Sequence, residues 1–207
     1  MMKKIDPSTA SLLEQKKEFR RAALSARDLL SAPQRSEKSS LITERLCMMS
    51  AVKDACSWFV YVSFRSEVET HRLIQRLLAA GKRVSVPCID RASNTMSASL
   101  VTSMEHDLAP GYCGVLEPAA GRQQPVNPST IDVVIAPGAA FAADGLRIGY
   151  GGGYYDRYLK KCPALSIGLA FDVQIVDLVP HDEQWDQPLD YVITETRLIK
   201  RQSLPGI

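Results

Sequence analysis

The chain has 207 residues, 45% hydrophobic and 23% charged, with a formal net charge of +2 from 25 basic and 23 acidic side chains. This is the composition of an ordinary folded domain that buries roughly two-thirds of its unfolded surface, and so balanced a charge excludes a general affinity for nucleic acid. No apolar run approaches the ~20 residues of a membrane span, and the N-terminal Met1-Met-Lys-Lys-Ile-Asp-Pro7 lacks the apolar core of a signal peptide, so a cytoplasmic protein with no membrane or nucleic-acid partner is expected.

The first helix is predicted over residues 11–31, where Leu12, Phe19, Ala23, Ala26 and Leu30 recur at spacings that mark an inward apolar face. Its other face is basic. Lys16 and Arg20 are four residues apart, as are Lys17 and Arg21, and such like-charged pairs repel unless an anion or solvent relieves them; a ligand-binding face and a solvated face, diluted by Glu14, Glu18 and Asp28, stand equally open. Ser31 and Pro33 then cap and start a second helix that runs to about residue 49.

From residue 57 the period changes. Trp58–Val62, Arg83–Pro87, Ile131–Ala136, Leu165–Ala170 and Tyr191–Thr194 are short β-branched or aromatic runs, several continuously apolar, as in strands buried on both faces. Between the first two lies a helical pattern, Thr70–Ala80, with Leu73, Ile74, Leu77 and Leu78 inward, Thr70 or Glu69 as a cap and Gly81 as terminator. Alternating strands and helices predict an α/β fold with a mostly parallel sheet, whose ligands collect at the carboxyl ends of the strands. Residues 89–130, rich in Ser, Pro and Gly, are the least legible. The five cysteines, Cys47, Cys56, Cys88, Cys113 and Cys162, form no pair or metal-binding pattern.

The most informative segment is Arg147-Ile-Gly-Tyr-Gly-Gly-Gly-Tyr-Tyr-Asp156. Four glycines in five positions, followed by a helix predicted over Tyr154–Lys161, expose backbone N–H groups to an anion and so read as a phosphate cradle; the alternative is a glycine-rich turn. No Gly-Lys-Ser/Thr follows, and Tyr154 stands where the dinucleotide fingerprint has its third glycine. Asp156 reads either as a Mg²⁺ ligand beside bound phosphates or as an acid favoured by the helix dipole alone. Asp186, in a polar loop before the last strand, is a second candidate metal acid. Arg147 reads as a phosphate contact or a surface arginine, and Tyr150, Tyr154 and Tyr155 as stacking platforms, with at least one in the core. Glu67, after the first strand, suits the amino edge of a heterocycle. No nucleophile constellation is visible, and the inventory suits phosphoryl transfer.

Taken in order, Lys16-Lys-Glu-Phe-Arg20, Arg27-Asp-Leu-Leu-Ser31, Ser66-Glu-Val-Glu-Thr70, Gly81–Pro87, Gly114-Val-Leu-Glu-Pro118, Asp132–Gly138, Arg147–Arg157 and Trp185-Asp-Gln-Pro-Leu-Asp190 give the chain a resemblance, over nearly its whole length, to the 5-formyltetrahydrofolate cyclo-ligase (5,10-methenyltetrahydrofolate synthetase) family. The resemblance implies a three-layer α/β/α sandwich similar to the ribose-phosphate isomerase and CoA-transferase-like class, formed as one domain over 1–207, with N-terminal helices (1–50) on an α/β core (57–207). It implies ATP- and Mg²⁺-dependent closure of 5-formyltetrahydrofolate through an iminium phosphate, by a monomer acting on small molecules in one-carbon metabolism. By position, it implies ATP binding by Lys16, Lys17, Glu18, Phe19, Arg20, Arg147, Ile148, Gly149, Tyr150, Gly151, Gly152, Gly153, Tyr154 and Tyr155. Folate binding falls to Arg20, Val62, Glu67 and Tyr150 through Tyr154, Mg²⁺ to Asp156 and Asp186 (or Asp190 in place of the latter), and catalytic roles to Arg147 and Tyr154. Tyr150 and Gly152 stand where some relatives carry a basic residue. A sugar-phosphate isomerase or sensor on the same fold and a non-catalytic relative are the competing expectations.

Overall fold

The computed structural model describes residues 7–111 and 114–201; Cys113 lies outside them. In chain order the elements are α1 (Pro7–Asp28), α2 (Ala32–Met48), β1 (Ser57–Val60), α3 (His71–Ala79), β2 (Arg83–Asp90), β3 (Thr95–Val101), α4 (Met104–Asp107), β4 (Leu108–Pro110), β5 (Leu116–Pro118), β6 (Pro125–Val126), β7 (Val133–Ala136), β8 (Ala140–Phe141), β9 (Arg147–Ile148), α5 (Tyr154–Leu159), β10 (Leu165–Leu169), β11 (Tyr191–Ile193) and β12 (Leu198–Lys200).

The principal sheet runs β12-β11-β10-β7-β1-β2-β3-β6. The five apolar runs of the sequence become its contiguous centre, β11-β10-β7-β1-β2, paired parallel throughout, while antiparallel β12, β3 and β6 extend its edges. Each central strand is buried on both faces. Trp58, Val60, Val133, Ile135, Ile167 and Leu169 pack under Ile42 and Leu46 of α2 and Leu73, Ile74 and Leu77 of α3; the alternate residues Phe59 and Val134 face Tyr158 of α5 and Cys162 beyond it, with the Phe59 and Tyr158 rings 4.6 Å apart. Period-two alternation within continuously apolar strands thus requires a helical layer on each side, and the fold is a three-layer α/β/α sandwich.

The helix signals fare unevenly. Ser31 caps α2 through a reciprocal capping box with Gln34, and Pro33 sits in its first turn. The backbone amides of Gly81 and Lys82 close the end of α3 on Leu78 and Leu77. Two expectations need correction. Neither Thr70 nor Glu69 caps α3 with its side chain, because the Thr70 hydroxyl turns back to bond Ser63 N and Tyr61 O, fixing the loop after β1. Helix α1 ends at Asp28 and does not present Phe19 to the core: Phe19 is 39% exposed and Leu13 56%. Ala23, on the predicted inward face, does pack, on Ala139, Ala140, Ala142 and Ile148, mostly small residues that let α1 lie close across the β8–β9 hairpin. That crossing turns the basic face of α1 inward.

Candidate active site

Lys16, Arg20, Ala23 and Arg27 follow one another at helical spacings of four, three and four, so they form one stripe along α1. Packing of Ala23 on the β8–β9 hairpin carries the three basic residues to the loops at the carboxyl edge of the sheet. The Lys16 ammonium pairs with the Asp186 carboxylate. Arg20 Nε donates to Gly149 O at 2.7 Å. Arg27, only 4% exposed, donates from Nε to Ser66 Oγ at 3.0 Å and from Nη1 to the Tyr150 hydroxyl at 2.8 Å. Lys17 and Glu18 face outward, Lys17 pairing only with Glu14 on an exposed surface. Of the two candidate basic pairs of the sequence, Lys16 and Arg20 therefore both face the site, and Lys17 and Arg21 both face solvent.

The glycine segment leaves β9 and turns into α5. Gly151 and Gly153 hold positive φ angles of 100° and 62°, and Gly153 is the residue before the first turn of α5; side chains there would be strained. A Cβ on Gly152 would stand 2.6 Å from the Tyr154 ring, so this turn requires more glycine than an ordinary connection. Among the described residues, no acceptor bonds the backbone N–H groups from Tyr150 through Asp156. Such a run of unpaired donors is suited to holding an anion. Because α5 is only six residues long, ending at Leu159 and not at Lys161, the cradle rests on these amides more than on a helix dipole.

Arg147, read from sequence as a phosphate contact or a surface residue, is neither free nor exposed. It is buried at 6% exposure, with Nη1 donating to Gln187 O at 2.8 Å and Nη2 to Asp156 Oδ1 at 2.9 Å. Gln187 N donates to the same Asp156 oxygen at 3.2 Å. Asp156 and the residue after Asp186 are thereby joined through one arginine. Asp186 receives Lys16 and, at 2.7 Å, Asp182 N, both on Oδ2. Each acid commits one oxygen to the protein, and the other remains for a ligand. Asp190 instead bonds Ser166 N and Oγ at 2.8 and 2.7 Å, at the amino end of β10 and away from the site. Among the described residues, no three His, Cys, Asp or Glu side chains converge, so a cation held by Asp156 and Asp186 would need further oxygens from a bound phosphate and water.

On the β1 side, Arg65 adopts φ 54° in a turn that Glu67 N closes on Phe64 O at 3.3 Å. Phe64 N donates back to Glu67 Oε2 at 2.9 Å. This double closure presents Glu67 to the glycine segment, where it faces the Tyr150 hydroxyl. Burial pushes the Glu67 carboxyl above its usual range, opposed by the Tyr150 hydroxyl, by the Phe64 amide and by Arg27. Burial likewise raises the Tyr150 hydroxyl, with Glu67 adding to the effect. The Val62 side chain is in the core. Tyr155 is the core tyrosine of the three, packed against Phe59 with ring centroids 6.1 Å apart, and its buried hydroxyl has no partner. Tyr154 carries the Arg157 guanidinium 5.1 Å over its ring, and the Tyr150 ring is open to solvent, the residue being 46% exposed. Sequence reasoning gave no role to Arg27, Ser66 or Gln187; the four-three-four spacing along α1 was the available signal for the first. Cavities of about 150 Å³ at Ser36, Arg72 and Arg76 and about 350 Å³ at Leu41, Met48 and Leu198 lie elsewhere.

Residues 13–195 match the model of the 5-formyltetrahydrofolate cyclo-ligase family. The chain is 31% identical over 176 residues to the 5-formyltetrahydrofolate cyclo-ligase of Mus musculus, covering 80% of this chain and 86% of that one. It is 32% identical over 175 residues to that of Escherichia coli K12, covering 83% and 96%. The NMR structure of Aquifex aeolicus 5,10-methenyltetrahydrofolate synthetase superimposes with a TM-score of 0.80 at 31% identity, covering 93% of this chain and 95% of that one. The Mycoplasma pneumoniae synthetase, at 23% identity and a TM-score of 0.70, covering 87% and 98%, shares the fold.

Proposed function

The chain belongs to the 5-formyltetrahydrofolate cyclo-ligase family, and we propose that it closes 5-formyltetrahydrofolate to 5,10-methenyltetrahydrofolate with ATP and Mg²⁺, releasing ADP and phosphate. The formyl oxygen attacks the γ-phosphorus and ADP leaves, giving an iminium phosphate. The second folate nitrogen adds to the activated formyl carbon and loses its proton; the carbon–oxygen bond then breaks, and phosphate departs with the former formyl oxygen. The protein's task is to hold two anionic substrates in line and neutralise the charge between them.

The observation that supports this best is the run of unpaired amides from Tyr150 through Asp156 beside Arg20. These amides cradle the ATP phosphates, with Lys16 and Arg20 adding charge from α1, and Ile148 and Gly149 leading into the turn. Of the Lys16–Arg20 segment, Lys17 and Glu18 point away, and Phe19 is 39% exposed. Glu67, the open ring of Tyr150, Tyr154 and the backbone at Val62 take the folate, and Arg20 lies between the two ligands. Arg147 acts by fixing Asp156.

Asp156 and Asp186 fit a magnesium ion: both are hard oxygen donors, and each is engaged through a single oxygen. When bound, the ion neutralises charge on the phosphate oxygens. Purified protein incubated with 5-formyltetrahydrofolate, ATP and Mg²⁺ is followed by methenyl absorbance, omitting each component in turn. Product only in the complete mixture supports the proposal; product without ATP, or none in the complete mixture, refutes it.

A further inference from the structure

Arg27 belongs to none of the ligand sets above, yet it is buried beside the site and bonded to both of its loops. Its guanidinium sits 4% exposed between three segments distant in sequence. Nε donates to Ser66 Oγ in the loop after β1, and the Ser66 hydroxyl in turn donates a hydrogen bond to Asp28 Oδ1, so the serine is held in one orientation. Nη1 donates to the Tyr150 hydroxyl in the glycine segment, and that hydroxyl faces the Glu67 carboxyl. Arg27, Tyr150 and Glu67 thus stand in series, and Phe64 N fixes Glu67 Oε2 at 2.9 Å.

The Tyr150 ring shows why this geometry matters. Its hydroxyl is fixed on the inside while the residue stays 46% exposed, with the Arg27 guanidinium 5.9 Å from the ring centre. A phenol anchored only by its hydroxyl presents a flat face at a defined angle, and without the anchor the ring of a glycine-flanked tyrosine turns freely. Glu67 depends on the same anchor, since the loss of Tyr150 or Arg27 leaves a half-buried carboxylate with fewer partners.

We propose that Arg27, through the Tyr150 hydroxyl and Ser66, is a positioning residue that sets the Tyr150 ring and the Glu67 carboxylate for the flat heterocycle of the folate substrate. Arg27 touches no substrate itself. Its effect falls on the folate half of the site and leaves the nucleotide half, built on Lys16, Arg20 and the loop amides, in place. This rests on the folate reading of the site given above.

The test is a double-variant cycle on the full chain with Arg27→Lys, Arg27→Ala, Tyr150→Phe and Arg27→Ala/Tyr150→Phe. Arg27→Ala and Tyr150→Phe should each raise the KM for 5-formyltetrahydrofolate about tenfold while the KM for ATP stays within about twofold, the size of one charge-assisted hydrogen bond lost. The double variant should be no worse than the worse single, because both remove one interaction. Arg27→Lys, which keeps the charge and loses the fork, should fall between wild type and Arg27→Ala. Tyr150→Phe keeps an exposed ring and tests the proposal even if Arg27→Ala does not fold. Multiplicative effects in the double variant, an equal rise in both KM values, or Tyr150→Phe indistinguishable from wild type overturns the positioning role. An inactive wild-type protein overturns the cyclo-ligase reading instead, so the two failures are distinct.

Discussion

Arg147 and Asp156 form an ion pair, 2.9 Å between Nη2 and Oδ1, in which the arginine side chain is 2% exposed and the aspartate 23%. The arginine that opens the glycine segment is thus bound to the acid that ends it, and Gln187, bonded to both by its backbone, brings in the loop that carries Asp186. Removing Arg147 strands Asp156 and the Gln187 carbonyl together. Arg147→Ala should cost about 2 to 3 kcal/mol, less than a fully enclosed pair because Asp156 is partly wet, and lower Tm by about 4 to 12 °C. A thermal melt checks this. A Tm within about 2 °C of wild type would mean that the pair is not maintained in solution.

Asp156→Asn keeps the shape and the hydrogen bond geometry but loses the charge. Turnover should fall at least about tenfold, or ~1.4 kcal/mol of transition-state stabilisation, and the Mg²⁺ concentration for half-maximal rate should rise. Asp186→Asn should act in the same direction. Asp190→Asn, whose side chain serves Ser166 at the other end of the sheet, should leave the Mg²⁺ dependence unchanged. The check is a Mg²⁺ titration of initial rates for the three variants; a shift confined to Asp190→Asn would reassign the second ligand.

Arg20 and Arg21 are adjacent on α1 and face opposite ways, one bonded to Gly149 O and the other exposed. Arg20→Ala should raise the KM for ATP by about tenfold or more, since a charge-assisted contact is worth roughly 1.5 to 3 kcal/mol, whereas Arg21→Ala should change it less than about twofold. Both are measured at the same low salt. Equal kinetics for the two would remove α1 from the nucleotide site.

Glu67 carries a pH signature. Its carboxyl is raised above 4.5, chiefly by burial, so the folded state binds the proton more tightly than the unfolded chain. The stabilisation this gives is complete below about pH 4.5 and is lost as pH rises through the raised folded value. Glu67→Gln removes that loss. The Tm of Glu67→Gln minus that of wild type should therefore be more positive at pH 8 than at pH 4, while the variant's KM for the folate rises. A difference independent of pH would show that Glu67 is not held in a drier setting than in the unfolded chain.

What the sequence made legible follows from how locally each feature is encoded. The five central strands announce themselves because strands buried on both faces must be continuously apolar, and the end of α3 because Leu78 and Gly81 are neighbours in sequence. The glycine cradle is legible because its residues are consecutive. The inward face of α1 was legible at Ala23 and Leu30 but not at Phe19, because apolar spacing alone does not show that this helix also sends Lys16, Arg20 and Arg27 into a polar site. Strand β3, next to the sheet edge and with Ser97 and Ser99 in its middle, carries no apolar run. The partners of Arg147, at Gln187 and Asp156, are set by tertiary contact across forty and nine residues, and no local pattern distinguishes such an arginine from one aimed at a phosphate.

The most direct measurement of the proposed reaction is stoichiometry: ADP and 5,10-methenyltetrahydrofolate quantified together during turnover of 5-formyltetrahydrofolate with ATP and Mg²⁺. Phosphoryl transfer to the formyl oxygen requires one ADP for each methenyl group formed, with no ADP released when the folate is left out. Methenyl product accumulating without ADP, or ADP release that proceeds equally in the absence of the folate, would contradict it.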